Sequence, residues 1–119
     1  MPIATADALT GFGMPSQLAA LMGGNPSALT CVGTAQTGAA VVKSRNTELV
    51  TGSGTSAAVF PSDAGIMISY FVTTQSATTG LVFVPSGHTL NGVANASVSI
   101  AQYATAIIWQ YKYKNWTYK

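Results

Sequence analysis

Short runs of β-branched and aromatic residues, separated by turn formers, make up the chain from Gly38 onward. They fall at residues 39–43, 47–50, 57–60, 65–72, 81–84, 96–100 and 106–113, and each is bounded by Gly, Pro, Ser, Thr or Asn. Such runs predict β-strands. Because no helical pattern of ten or more residues lies between them, a parallel sheet with crossover helices is disfavoured. We therefore predict an all-β domain over residues 38–119, an antiparallel β-sandwich or a jelly-roll-like fold.

Two of these segments, residues 66–72 and 107–111, have apolar side chains at both odd and even positions. A strand with one face in water alternates apolar and polar residues, and these two strands do not. We expect both of their faces to be covered, by the second sheet or by a neighbouring subunit. Together with the scarcity of charge along the chain, this pattern predicts a homotrimer.

Residues 1–37 differ from the rest and predict an extended arm with one short helix. Pro15 suits the first helical position, residues 16–22 contain good helix formers, and Gly23 and Gly24 form a stop signal. A helix of about two turns is marginal alone in water and needs a surface to lie on. We expect the arm to contact a shell or a neighbouring subunit. The candidate interface residues are Phe12, Met14, Leu18, Leu21 and Met22 in the arm, with Trp109, Trp116 and Tyr118 in the β domain.

Charge is scarce along the 119 residues: 7% are Asp, Glu, Lys or Arg, against about 25% in an average soluble domain. No charged residue occurs from position 8 to 42 or from 64 to 111, while 48% of the chain is hydrophobic. Dispersed charge keeps a freely diffusing protein soluble and solitary, and this chain has little of it. The composition predicts a protein that works within an assembly.

The residues available for chemistry are few, namely the acids Asp7, Glu48 and Asp63, with His88 and Cys31. We predict no enzyme, no metal site and no cofactor. A small hydrolase would need a serine, His88 and Asp63 to come together in the fold, and the sequence around them does not indicate this. His88 lies among turn formers and is interpreted as a turn or interface residue. Residues 52–57 match the letters of a dinucleotide fingerprint but lack its helix and its later acidic residue, so they predict a hairpin loop.

Neither nucleic acid nor a membrane is a predicted partner. Aromatic residues alternate with Lys112 and Lys114 and precede Lys119, a pattern that is typical of a half-exposed strand. Three lysines also provide few contacts to phosphate groups. No window approaches 18 consecutive apolar residues.

Several segments resemble small virion proteins encoded in the structural gene clusters of tailed bacteriophages. These are VFVPSGHTLNGVANASVSI at residues 82–100, NWTY at 115–118, TAD at 5–7 and GMPSQLA at 13–19. The resemblance implies a capsid decoration, or cement, protein. Such a protein is a β-rich oligomer, often a trimer, that binds the major capsid protein on the outer surface of the virion.

Related modules also end tail fibres and spikes, which gives an alternative of a different class. The chain would then bind a host receptor or a glycan through aromatic platforms. The residues available for that role are Tyr103, Trp109, Tyr111, Tyr113, Trp116 and Tyr118.

Overall fold

A computed structural model describes residues 25–119, in which all regular secondary structure is β. The strands are β1 (Ser27–Thr30), β2 (Ala40–Val41), β3 (Asn46–Val50), β4 (Ala57–Val59), β5 (Ser69–Thr74), β6 (Gly80–Phe83), β7 (Thr89–Leu90), β8 (Val93–Ala94), β9 (Ser97–Ile100), β10 (Thr105–Lys112) and β11 (Asn115–Tyr118). The all-β prediction is confirmed. The short helix predicted at residues 15–22 lies outside the described residues.

The strands form two sheets, which we name the large sheet and the small sheet. The large sheet has the order β1-β3-β5-β10-β11-β7-β8, and the small sheet has the order β2-β4-β6-β9. From β1 to β6 the chain places successive strands alternately in the two sheets. It therefore winds in successive coils, and the stacking resembles a β-solenoid.

The prediction of purely antiparallel pairing is wrong, because both sheets are mixed. Strands β1, β3 and β5 pair in parallel, as do β2, β4 and β6, and β7 pairs in parallel with β11. The pairs β5–β10, β10–β11, β6–β9 and β7–β8 are antiparallel. Parallel neighbours need a crossover connection, usually a helix. Here the crossover is a strand of the other sheet, so the lack of helices did not exclude parallel pairing.

The sheet also begins earlier than the predicted boundary between residues 37 and 38. Strand β1 pairs with β3, and the Cys31 amide that follows it donates to the Val50 carbonyl at 3.0 Å. The Cys31 side chain is 1% exposed, and burial raises the pKa of its thiol. Cys31 is therefore a small apolar core residue with an unreactive thiol.

A single apolar core draws side chains from both sheets. Leu49, Val72 and Ile108 come from the large sheet, and Val82 and Val98 from the small one. An aromatic cluster completes it. Trp116 stacks on Phe60 with ring centroids 4.8 Å apart, and Phe60 lies 5.0 Å from Tyr70. Both sheets thus contribute buried side chains to one core, and the side chains that point away from this core form the surface open to a partner.

Two buried threonines of the large sheet provide a matched test of this core. The Thr47 hydroxyl donates to the Ser44 carbonyl at 2.8 Å, whereas the Thr74 hydroxyl has no hydrogen-bond partner among residues 25–119. Valine has nearly the same shape without the hydroxyl. Thr74→Val is expected to raise the free energy of unfolding by about 1 kcal/mol, and Thr47→Val to lower it by about 1 kcal/mol. Urea denaturation measures both, and a loss of stability in Thr74→Val would contradict the assignment.

Candidate binding surface

The outward face of the large sheet carries an apolar patch formed by Phe71, Ile107 and Trp109, which we name the outer patch. Ile107 of β10 lies directly opposite Phe71 of β5 in the antiparallel register. Phe71 is 41% exposed, and Ile107 and Trp109 are half-buried. The second cover predicted for these strands is therefore not supplied by the small sheet, which packs against their inner face. Within the described part of the chain, the outer patch remains open.

Hydroxyl groups border the outer patch. Trp109 is paired with Ser69 on one side and Thr117 on the other. The Thr73 and Thr105 hydroxyls hydrogen-bond each other at 2.6 Å. These four neighbours carry no charge, whereas Lys119 opposite Ile107 and Glu48 opposite Thr73 place ionic groups at two edges of the patch.

A second exposed cluster lies where β10 turns into β11, and we name it the hairpin tip. Its members are Ile66, Met67, Tyr111, Lys112, Tyr113 and Lys114. The Ile66 backbone bridges to Gln110, which brings the two chain segments together. The exposed fractions of the apolar members are 52% for Ile66, 64% for Met67, 46% for Tyr111 and 65% for Tyr113. This concentration of exposed apolar side chains makes the hairpin tip a candidate interaction site.

Gln110 holds the two halves of the hairpin tip in place. Its side-chain amide is 1% exposed, donates to the Ala64 carbonyl at 2.8 Å and accepts from the Lys114 amide at 2.7 Å. Its backbone carbonyl accepts from the Met67 amide at 2.7 Å. Met67 and Lys114 adopt positive φ angles of 61° and 65°, a conformation unfavourable to residues with a side chain. The bonds to Gln110 offset that strain on both sides of the tip.

The predicted interface residues have different positions in the fold. Trp109 lies in the outer patch, and Tyr118 on β11 is 43% exposed. Trp116 differs from its prediction as an interface residue. None of its side chain is exposed, so it cannot contact a partner directly. The physical reason is that β11 lies inside the large sheet, between β10 and β7, and turns Trp116 into the core. Phe12, Met14, Leu18, Leu21 and Met22 lie outside the described residues.

Sequence reasoning did not select Phe71, Ile107, Ile66 or Met67 as interface candidates. The signal for the first two was present, since both belong to the segments with apolar residues at odd and even positions. That pattern shows that both faces of a strand are apolar but does not show which face points outward. The same pattern predicts that Ile66 and Met67 belong to a strand, whereas the structure places both residues before β5.

His88 is a buried residue at the edge of the core. Its backbone closes the predicted turn, with the His88 amide donating to the Pro85 carbonyl at 2.9 Å. The side chain is 4% exposed, and its Nδ1 accepts a hydrogen bond of 3.0 Å from the Trp116 indole Nε1. Burial, and then the positive charge of Lys114, lower the pKa of His88. The imidazole is thus held neutral, with Nδ1 as the acceptor.

This arrangement predicts that acid destabilises the protein through His88. Its folded pKa lies below the unfolded value of about 6.5, so the unfolded chain binds the proton more readily. Stability is retained above that pH and falls as pH decreases through it, by at most about 1.4 kcal/mol per pH unit. Urea unfolding between pH 7 and pH 5 measures the slope. In His88→Asn, the Asn oxygen can accept from Trp116 without titrating, so a slope equal to the wild type would contradict the assignment.

Residues 25–119 contain no group of three or more His, Cys, Asp or Glu side chains placed to hold a metal ion. Over the same residues, no helix has the length and apolar character needed to cross a membrane.

Comparisons with known proteins assign no family. Neither a protein-family model, nor a curated protein, nor a solved structure matches the chain.

Proposed function

We propose that this chain is a bacteriophage capsid decoration protein that binds the outside of the capsid lattice and stabilises the head. Self-association into a homotrimer and contact with the major capsid protein are parts of the proposal. The observation that carries it is the outer patch, an apolar area at the centre of the outward face of the large sheet.

A sheet with one face in water normally presents polar residues on that face. Phe71, Ile107 and Trp109 break this rule at the centre of the large sheet. Each square ångström of apolar surface removed from water contributes about 25 cal/mol. Covering the patch with a neighbouring subunit or with the capsid therefore stabilises the bound form.

The low charge of the chain supports the same function. A protein that remains on a lattice needs little ionic solubility. It gains stability by mass action because the lattice binds only the folded form. Many identical weak sites on one particle add avidity. In this proposal the two sheets pack face to face as in a β-sandwich or jelly roll, an arrangement that the shared core supports.

Capsids assembled without this chain test the proposal directly. Added protein is expected to sediment with the capsids, to saturate at a fixed copy number per particle and to raise the temperature at which the capsid opens. A variant lacking residues 1–24 is expected to lose retention while its circular dichroism spectrum stays β-rich. If the full chain does not sediment with capsids, the proposal is wrong, and full retention of the truncated chain would remove the role of the arm.

The alternative is a tail or fibre module that binds a host receptor or a glycan. Its support is the exposure of three tyrosines, with Tyr103 at 77%, Tyr113 at 65% and Tyr111 at 46%. Aromatic rings of this kind present flat faces to sugars. Labelling the protein on intact particles distinguishes the two functions, since a label on the head supports decoration and a label on the tail supports receptor binding.

A further inference from the structure

We infer that the hairpin tip is the element that docks on the capsid, and that its partner is an acidic protein surface with apolar pockets. This inference rests on the proposed function and assigns a residue-level contact to it.

The hairpin tip provides four apolar anchors. Ile66, Met67, Tyr111 and Tyr113 are between 46% and 65% exposed. Interface energy is concentrated in a few such anchors, among which aromatic residues are enriched. Side chains of this size gain their stabilisation only when a partner buries them.

The charges of the tip define the sign of the partner. Lys112 and Lys114 are both exposed, and the Lys114 ammonium lies 5.4 Å from the centre of the Tyr113 ring. No acidic residue occurs between positions 64 and 111. Asp63, which precedes this interval, lines a cleft with Val59 and Pro85. Lysines beside apolar anchors favour a partner with acidic groups around its apolar pockets, because complementary charge guides docking and excludes wrong partners.

Hydrogen bonds also connect the two chain segments of the tip before it binds. Gln110 bonds to both chain segments and holds Met67 and Lys114 at positive φ. Strained backbone of this kind persists only where the surrounding structure determines it, and it is concentrated at functional sites. A surface that is already ordered loses less conformational freedom on binding.

A protein partner fits these residues better than nucleic acid does. Tyr111 and Tyr113 could each stack on a base, but the other two anchors, Ile66 and Met67, are aliphatic and offer no such platform. Two lysines neutralise few phosphates. The combination of aliphatic anchors, tyrosines and two lysines is typical of a protein interface.

The test compares two charge-reversed variants that have the same net charge. Lys112→Glu alters the tip, and Lys43→Glu alters an exposed lysine outside both the tip and the outer patch. Both are titrated against capsids assembled without the chain. The tip variant is expected to bind about 10-fold more weakly or worse, with a smaller salt dependence, whereas the control stays within about twofold of the wild type. Circular dichroism and thermal melting confirm that both variants fold.

A second variant tests the apolar anchors without changing charge. Met67→Asn removes the thioether, and asparagine tolerates the positive φ at that position. We expect weaker capsid binding with an unchanged or higher melting temperature. Loss of binding in this variant and in the tip charge variant supports the inference.

The outcomes separate this inference from the proposed function. If the wild type binds capsids and the tip variants bind equally well, the tip assignment is wrong and decoration stands. If the wild type does not bind capsids, both are wrong. A 30-nucleotide DNA strand and heparin serve as probes for the other partner classes. Binding of either probe that equals capsid binding and disappears in the tip variant would overturn the protein partner.

Discussion

Replacing Trp116 with alanine is expected to lower the free energy of unfolding by about 3–5 kcal/mol. The indole has no exposed surface, stacks on Phe60 at 4.8 Å and lies 6.2 Å from Tyr70. The substitution leaves a large cavity and also leaves His88 Nδ1 without its donor. Small domains have a total stability of about 5–15 kcal/mol, so this single change removes a substantial part of it.

Trp109→Ala is the matched control, because it removes the same side chain from the opposite face of the same sheet. Trp109 is only half-buried and lies outside the core cluster. We expect the isolated subunit to lose about 1 kcal/mol in this variant. Urea denaturation at a protein concentration low enough to dissociate oligomers measures both variants. Equal losses at the two positions would contradict the assignment of Trp116 to the core and Trp109 to the outer patch.

Phe71→Glu is expected to dissociate the oligomer and to weaken capsid retention by about 100-fold or more. The reason is that covering the outer patch with a neighbour would remove the new carboxylate from water, and desolvating a charged group is costly. The subunit itself should fold, since Phe71 points away from the core and is 41% exposed. Light scattering coupled to size exclusion measures the oligomeric state, and sedimentation with capsids measures retention.

Val41→Glu is the control for this prediction. Val41 lies on β2 of the small sheet and is 43% exposed, so it matches Phe71 in exposure and apolar character. We expect this variant to assemble and to bind capsids like the wild type. If Phe71→Glu also behaves like the wild type, the outer patch is not an interface and the argument for decoration loses its main support.

About half of the strands in residues 25–119 were predictable, because their signals are local. The structure has β2, β3, β4, β6, β9 and β10 within a few residues of the predicted runs, since β-branched residues and flanking turn formers act over short distances. The turn around His88 is another example. Gly87 and Gly92 adopt φ angles of 84°, and glycine supplies that conformation without steric cost.

The bounds of strand β5 could not be predicted from local signals alone. The predicted run was 65–72, but the strand is Ser69–Thr74. Ile66 and Met67 are instead held by Gln110, whose backbone and side chain come from the far end of β10. No residue near Ile66 and Met67 in the sequence indicates their contact with Gln110. This contact brings together the two chain segments of the hairpin tip.

The amino-acid sequence by itself determined that the chain is β-rich, where most turns fall, and that two strands are apolar on both faces. Only the tertiary structure decided that the sheets are mixed and that Trp116 points inward while Trp109 points outward. The physical reason is that alternation along a strand defines which side chains share a face. Which face is buried depends on pairing with strands distant in the chain, and that pairing has no local code.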